Sequence, residues 1–360
     1  MSATKSKAED LTAENLTQHV IKTCTENVSH ERTAVLIAGL IRHLHDYVRE
    51  VQLKPGEWEA GWQYLTETGQ FCTPDRQEMV LLSDVLGVSA LVDSINSAAQ
   101  TNSSKKSSGT SGTSGRVDVA TESSILGPFH NDAAEQLENG RSIGSEGVVG
   151  EPMLIHGTVR SSSTTNDGEN GDGDGEPIEG ATVDVWETNG NGLYDMQDPQ
   201  RDGPDCRGIF RTDKQGRFYL LGVKSVDYNI PDEGPVGKLL KILDRNVTRP
   251  AHVGRLLFRK KEEEEEKGKL LTFENQHFQI RHPTYINLTT ALYASDSAHI
   301  TTDPVFGVKA SLVKEFRRFE KLPEEVMRDY NGLRYSPAQQ DQVAKKGIWS
   351  LEHDFVLVRK

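Results

Sequence analysis

Two tyrosines and a histidine sit where an aromatic or imidazole side chain could do chemistry. Tyr194 lies in WETNGNGLYDMQ, just after a strand-like run and among glycine and asparagine, so its ring is on a loop that can point inward. Tyr228 lies in VKSVDYNIPDEGPVG and His252 in RPAHV. Taken singly, each is most often a core or rim aromatic. Taken together they suggest a metal centre. A nearby cation lowers the pKa of a phenol until it binds as phenolate, and neutral imidazole nitrogens complete such a site. Two phenolates and two imidazoles suit a hard trivalent cation such as iron(III), and leave a position for water and then for substrate.

These residues need a scaffold that brings distant loops together. From about Thr12 to Asn96 the pattern is helical, with Leu36, Ile37, Leu40, Ile41, Leu44 and Val48 recurring at spacings of three and four. Further helical stretches run from Pro55 through Trp58, Trp62 and Leu65, and from Pro74 through Met79, Leu82 and Val85 to a stop at Gly87. Residues 100–116 are dominated by Ser, Thr, Gly and Lys, which bury too little surface to offset ordering entropy, and read as a flexible insert. Short β-branched or alternating runs follow: Pro152 to Val159, Ala181 to Glu187, Ile209 to Arg211, Phe218 to Val223, His277 to Ile280 and Ile286 to Tyr293. The Gly/Asp/Asn-rich stretch 161–176 reads as an elongated hairpin loop between two of them. The expected fold is mixed α and β: helices over 1–99, then an antiparallel β-sandwich over 117–312, then a C-terminal extension over 313–360 that is helix or tail first and strand-like at its end.

The whole chain narrows the partners. It has 360 residues, 35% of them hydrophobic, and carries a net charge of −13, so it can build a core but repels nucleic acid and anionic membranes. Cys24, Cys72 and Cys206 are too few and too scattered for a disulfide framework and read as free thiols. No apolar run approaches the roughly 18 residues of a membrane span, and Met1 to Asp10 is polar, so the expected location is cytoplasmic.

Ordered blocks from about His43 to Leu312 carry a resemblance: RHLHDYVREV, EWEAGWQYLTETGQ, RQEMVLLSDVLG, TESSILGPFH, PIEGATVDVWETNGNGLYD, GRFYL, YNIPDEGPVG, RPAHV, HFQIRHP, LTTALY and DPVFGVK. The chain resembles the intradiol ring-cleavage dioxygenases, in particular the fungal catechol and hydroxyquinol 1,2-dioxygenases. The resemblance implies N-terminal helices that form a homodimer and a sandwich holding one Fe(III) per chain. It places the metal-binding tyrosinates at Tyr194 and Tyr228, the first ligand histidine at His252, and at Arg249 an arginine that assists the charged intermediate. It implies that the diol binds as a dianion while Tyr228 takes up a proton. Both atoms of O2 then enter the product, maleylacetate from hydroxyquinol or cis,cis-muconate from catechol. By similarity the substrate pocket includes Leu81, Asp84, Ile125, Gly127, Pro128, Phe129 and Val305, with the Asp84 carboxylate able to accept a bond from a third ring hydroxyl.

The chain departs from the family in two places. The family sets its histidines as His-x-His on one strand, so that alternate side chains face the metal. Here Gly254 stands two positions after His252, and the expected His-Phe pair appears only at His277. Residues 254–276, with five consecutive glutamates, read as a solvated insert, and removing them restores RPAHVHFQIRHP. His277 is therefore the expected fourth ligand. The second departure is Ala291, where many bacterial catechol enzymes carry glutamine. The competing reading is an impaired relative that only binds an aromatic or lipid ligand because the insert spoils the metal site.

Overall fold

The computed structural model describes residues 10–73, 76–106, 120–125, 127, 134–162, 175–201, 203–259 and 284–359, with backbone alone at 98–106 and 254–259. The chain divides into two units, Met1–Glu67 and Thr68–Lys360. The first holds α1 (Leu16–Thr25), α2 (Glu31–Glu50) and most of α3 (Pro55–Gln70). Thr17 on α1 meets His45 of α2 at 3.0 Å, and Arg49 of α2 donates to the Ala13 carbonyl at 3.1 Å, which joins the two helices. The apolar residues Leu36, Leu40, Leu44 and Val48, spaced along one stripe of α2, remain exposed.

The second unit opens with α4 (Glu78–Val85) and α5 (Val88–Lys106). Its strands are β1 (Pro152–Ser161), β2 (Thr182–Trp186), β3 (Arg207–Arg211), β4 (Arg217–Val223), β5 (Tyr228–Asn229), β6 (Thr248–Arg249), β7 (His252–Arg259), β8 (Thr289–Ala294), β9 (Val313–Lys314), β10 (Arg317–Phe319), β11 (Ile348–Glu352) and β12 (Phe355–Leu357). Helix α6 (Pro235–Ile242) lies between β5 and β6, and α7 (Glu324–Asp329) and α8 (Pro337–Lys346) precede β11. One sheet runs β10-β11-β1-β12, with β4 also on β1, and a second runs β3-β2-β7-β8-β9. Alternation along the strands builds the layers. Met153 and Ile155 of β1 enter a core with Val183, Val185, Phe210 and Leu292 of the other sheet, which makes the pair a sandwich. Leu154, between them, packs the opposite way with Leu221, Val326 of α7 and Val343 of α8.

Three expectations need correction. The helices expected over 1–99 are present as α1 to α5, with the unit boundary after Glu67 falling inside α3. Helix α5 runs to Lys106, into the stretch read as the flexible insert 100–116, because extending an existing helix gains one hydrogen bond per ordered residue. The segment 313–360 is no extension: β11 and β12 pair in parallel with β1, and β9 pairs in parallel with β8, so the sheets are not purely antiparallel. The insert read as 254–276 starts later, because β7 continues through Arg259, pairing Leu257, Phe258 and Arg259 with β2. Its Leu-Leu-Phe run has the strand propensity to do so. The remainder, 260–276, lies outside the described residues.

The C-terminal strands meet β1 around two histidines, His156, which is buried, and His353, which is half-buried. His156 Nε2 meets Ser350 Oγ at 3.0 Å, its ring lies 4.5 Å from that of Tyr330, and its carbonyl accepts from the His353 N–H at 3.0 Å. Its Nδ1, and Nε2 of His353, are buried without a hydrogen-bond partner. Burial pushes both imidazoles down to about 4; Asp354 opposes this at each, while Lys314 adds to it at His353. Folded-state pKa values below the unfolded 6.5 mean that stability is complete above that pH and is lost as pH falls toward 4. Thermal melts are expected to show a midpoint that drops across this window, at a slope of up to about 1.4 kcal/mol per pH unit for each histidine. The double variant His156→Gln, His353→Gln should flatten that slope. An unchanged slope would show that the histidines do not set the acid limit.

Candidate active site

Tyr194 is placed by a turn that the sequence encodes locally. After β2, Asn189 Oδ1 accepts from the N–H groups of Asn191 at 2.9 Å and Leu193 at 3.2 Å, an Asx-type turn. Gly192 has φ +78°, and a Cβ there would lie 2.9 Å from Tyr228 Cβ, so glycine meets both the left-handed backbone and the close approach of the second tyrosine. The Tyr194 N–H donates to Gln197 Oε1 at 3.2 Å, and its carbonyl accepts from the Gln197 N–H at 2.8 Å. The next residue, Asp195, is ion-paired with Arg207 of β3, both side chains buried, which ties the turn to the sheet.

Tyr228 and Arg249 come from the short β5-β6 ribbon, where they are directly opposed. Opposed residues in an antiparallel pair project on one face. Arg249 Nη1 accordingly donates to Tyr228 Oη at 3.1 Å. The hydroxyls of Tyr194 and Tyr228 stand 3.5 Å apart, with their rings edge-on at 86° and packed beside Trp186 and Met196. His252 opens β7, and its ring centroid is 5.5 Å from that of Tyr228. His252 Nδ1 is 2.8 Å from the Pro250 carbonyl. A carbonyl only accepts, so Nδ1 carries the hydrogen of the neutral ring and Nε2 the lone pair, the tautomer that a metal-binding imidazole needs. Tyr194, Tyr228, Arg249 and His252 are all buried.

The donor set fits a hard trivalent cation. Among the described residues no group of three His, Cys, Asp or Glu side chains could hold a metal; the convergent donors are two phenols and one imidazole. Phenolic oxygen beside a permanently charged guanidinium is the anionic, hard-donor chemistry that iron(III) selects over softer metals. His277 lies outside the described residues. The backbone at the position expected for the second histidine is irregular: Val253 pairs with Leu292 and Leu256 with Thr290, so Gly254 and Arg255 together oppose Ala291, a β-bulge.

Around this centre lie residues that sequence reasoning did not single out. Arg249 Nε and Nη2 reach Asp303 Oδ1 and Oδ2 at 3.0 and 3.2 Å, and Nη2 reaches Tyr293 Oη at 3.4 Å. Burial works against both charges, yet the pairing prevails: Arg249 is held more firmly protonated than usual and the Asp303 carboxyl is pushed below its usual range. Tyr293 directly opposes His252 across β7 and β8. Their signal was present in the DPVFGVK and LTTALY blocks, but nothing in residue type marked them for the site.

Of the expected pocket residues, Leu81 and Asp84 are buried on α4, and Ile125 and Val305 are buried as well. Gly127 adopts φ +69°. Pro128 and Phe129 lie outside the described residues. Arg245 joins two of these walls, donating to the Val85 carbonyl at 2.6 Å and the Pro304 carbonyl at 2.8 Å. Ser124 joins the segment before Ile125 to the segment after Val305, donating to the Gly307 carbonyl at 2.9 Å.

Known proteins share this arrangement of domains. Residues 30–104 match the family described as Catechol dioxygenase N terminus, and residues 126–264 match the family described as Dioxygenase. The chain is 39% identical over 305 residues to intradiol ring-cleavage dioxygenase hqdA of Aspergillus niger, covering 85% of this chain and 77% of that protein. It is 35% identical over 330 residues to a hydroxyquinol 1,2-dioxygenase of a Rhizobium species, covering 91% and 90%. The solved hydroxyquinol 1,2-dioxygenase of Pseudomonas putida DLL-E4 superposes with a TM-score of 0.70 at 30% identity, over 97% of this chain and 99% of that one. With both halves matched at this identity, the chain belongs to the intradiol ring-cleavage dioxygenases, a family of non-haem iron enzymes.

Proposed function

We propose that the chain cleaves hydroxyquinol, with catechol as a second substrate, between the two hydroxylated ring carbons, using one Fe(III) held by Tyr194, Tyr228, His252 and His277. The observation that carries this reading is the convergence of two buried phenols, a correctly tautomerised imidazole and a buried guanidinium. When bound, iron(III) polarises the diol so that its ring becomes reactive toward O2. Tyr228 takes up a proton from a diol hydroxyl, and its bond from Arg249 orients the phenol for that transfer. Arg249 also faces the developing negative charge with a fixed, water-excluded donor. Leu81, Ile125, Gly127, Pro128, Phe129 and Val305 wall the ring, and Asp84 accepts the third hydroxyl of hydroxyquinol.

O2 uptake and product analysis with hydroxyquinol and catechol, on samples of measured iron content, test this reading. Ring-opened diacids from one or both diols are expected, with uptake proportional to iron. Iron-loaded protein that opens neither ring would contradict it. For Asp84→Ala, kcat/KM is expected to fall more for hydroxyquinol than for catechol, by the roughly 1.5 to 3 kcal/mol of one hydrogen bond to a charged group. Equal losses would leave Asp84 with no part in substrate choice.

The fourth ligand is tested separately. Deleting residues 254–276 places His277 two positions after His252 on the same face of one strand. Iron occupancy and activity are expected to rise in that variant, while His277→Ala in the full chain should abolish iron binding and substitution of His282, further along the HFQIRHP block and past the expected ligand position, by Ala should not. Iron content untouched by His277→Ala would require another ligand. The exposed apolar stripe of α2 supports a homodimer through the N-terminal helices, for which sedimentation should give a mass of two chains rather than one.

A further inference from the structure

Arg249 is one member of a closed ring of hydrogen bonds whose direction can be read round the circuit. Gly307 N–H donates to Asp303 Oδ2 at 2.9 Å, and Ser124 Oγ donates to the Gly307 carbonyl at 2.9 Å. With its hydrogen so committed, Ser124 Oγ is the acceptor in its 3.3 Å contact with Tyr293 Oη. Tyr293 therefore donates to Ser124 and accepts from Arg249 Nη2 at 3.4 Å, and Arg249 returns to Asp303 through two N–H groups. Donor and acceptor roles agree at each step.

The circuit distinguishes two phenols that both neighbour His252. Tyr293, with its ring 5.1 Å from the imidazole, directs its hydrogen to Ser124. Tyr228 instead receives a hydrogen bond from the remaining arm of the guanidinium. The fork of Asp303 on Nε and Nη2 fixes the plane of the guanidinium and thereby the direction in which Nη1 points. The seat is tightly built. A Cβ at Gly307 would lie 2.8 Å from Tyr293 Oη, 3.1 Å from Arg249 Nη2 and 3.3 Å from Asp303 Oδ2, so the backbone itself closes against the ring.

We propose that Asp303 is a positioning residue for ring cleavage: through its fork on the guanidinium it aims Arg249 Nη1 at Tyr228. The proposal rests on the reading of Arg249 and Tyr228 given above. Asp303 touches neither substrate nor metal; its influence passes through the guanidinium.

The test uses the full chain as wild type, Asp303→Asn, Arg249→Met and the double variant, each in iron-loaded and metal-free form. Turnover of Asp303→Asn is expected to fall on the order of 10²-fold, the scale of a misplaced catalytic group. Its iron content and visible tyrosinate absorption should be retained, because the phenols and imidazoles are untouched. The double variant should turn over within about twofold of Arg249→Met, since Asp303 has nothing left to aim. In metal-free protein the melting point should fall in Asp303→Asn and recover in part in the double variant, which buries no unpaired charge. Unchanged turnover in Asp303→Asn, additive losses in the double variant, or loss of iron in step with activity would each overturn the proposal. Iron-loaded wild type that opens neither ring would overturn the functional reading instead.

Discussion

A positive charge that cannot reach water governs the centre of this molecule. Arg249 is 4% exposed, and an isolated buried guanidinium is far too costly to persist, so the fold must surround it with acceptors. Those acceptors come from well-separated parts of the chain: Tyr228 on β5, Tyr293 on β8 and Asp303 in the loop beyond β8. Satisfying one side chain thus locks several elements together. The same requirement shapes the candidate site, because the arm not held by Asp303 is directed at the phenol of Tyr228.

The sandwich makes this convergence possible. Strand β2 delivers the Tyr194 turn from its end, and β7 delivers His252 from its start, adjacent to β2 in the same sheet. The β5-β6 ribbon stands apart from both sheets and contributes the opposed pair Tyr228 and Arg249. Loops carry the reactive groups while rigid strands fix their origins, the usual division of labour in enzymes. The C-terminal strands serve the same end at a distance, since β11 and β12 complete the sheet built on β1 and close the core beneath the site.

Much of the site was legible because its residue types are chemically unusual for their context. Tyr194 and Tyr228 stand in glycine- and asparagine-rich or proline-rich turns and His252 in a short RPAHV motif, while Arg249 was placed only by the family resemblance. Asp303, Tyr293 and Ser124 were not legible in the same way. An aspartate before proline reads as a turn, and a tyrosine in a strand reads as core; only the circuit they form reveals their task. Boundaries failed where propensity and composition disagreed. Residues 254–259 share an insert with a charged run, yet their own apolar character lets them extend β7. The C-terminal strands were visible as strands, but their parallel pairing with β1 depends on partners nearly 200 residues away, which local pattern does not encode.

The central claim is that the phenols of Tyr194 and Tyr228 are brought together to bind iron(III) as tyrosinates. Visible absorption of the iron-loaded protein tests this most directly, because tyrosinate-to-iron(III) charge transfer gives a reddish colour. A band is expected in the wild type, weakened in part by Tyr194→Phe and in part by Tyr228→Phe. Full absorbance in both single variants, or a colourless protein at full iron occupancy, would contradict the account.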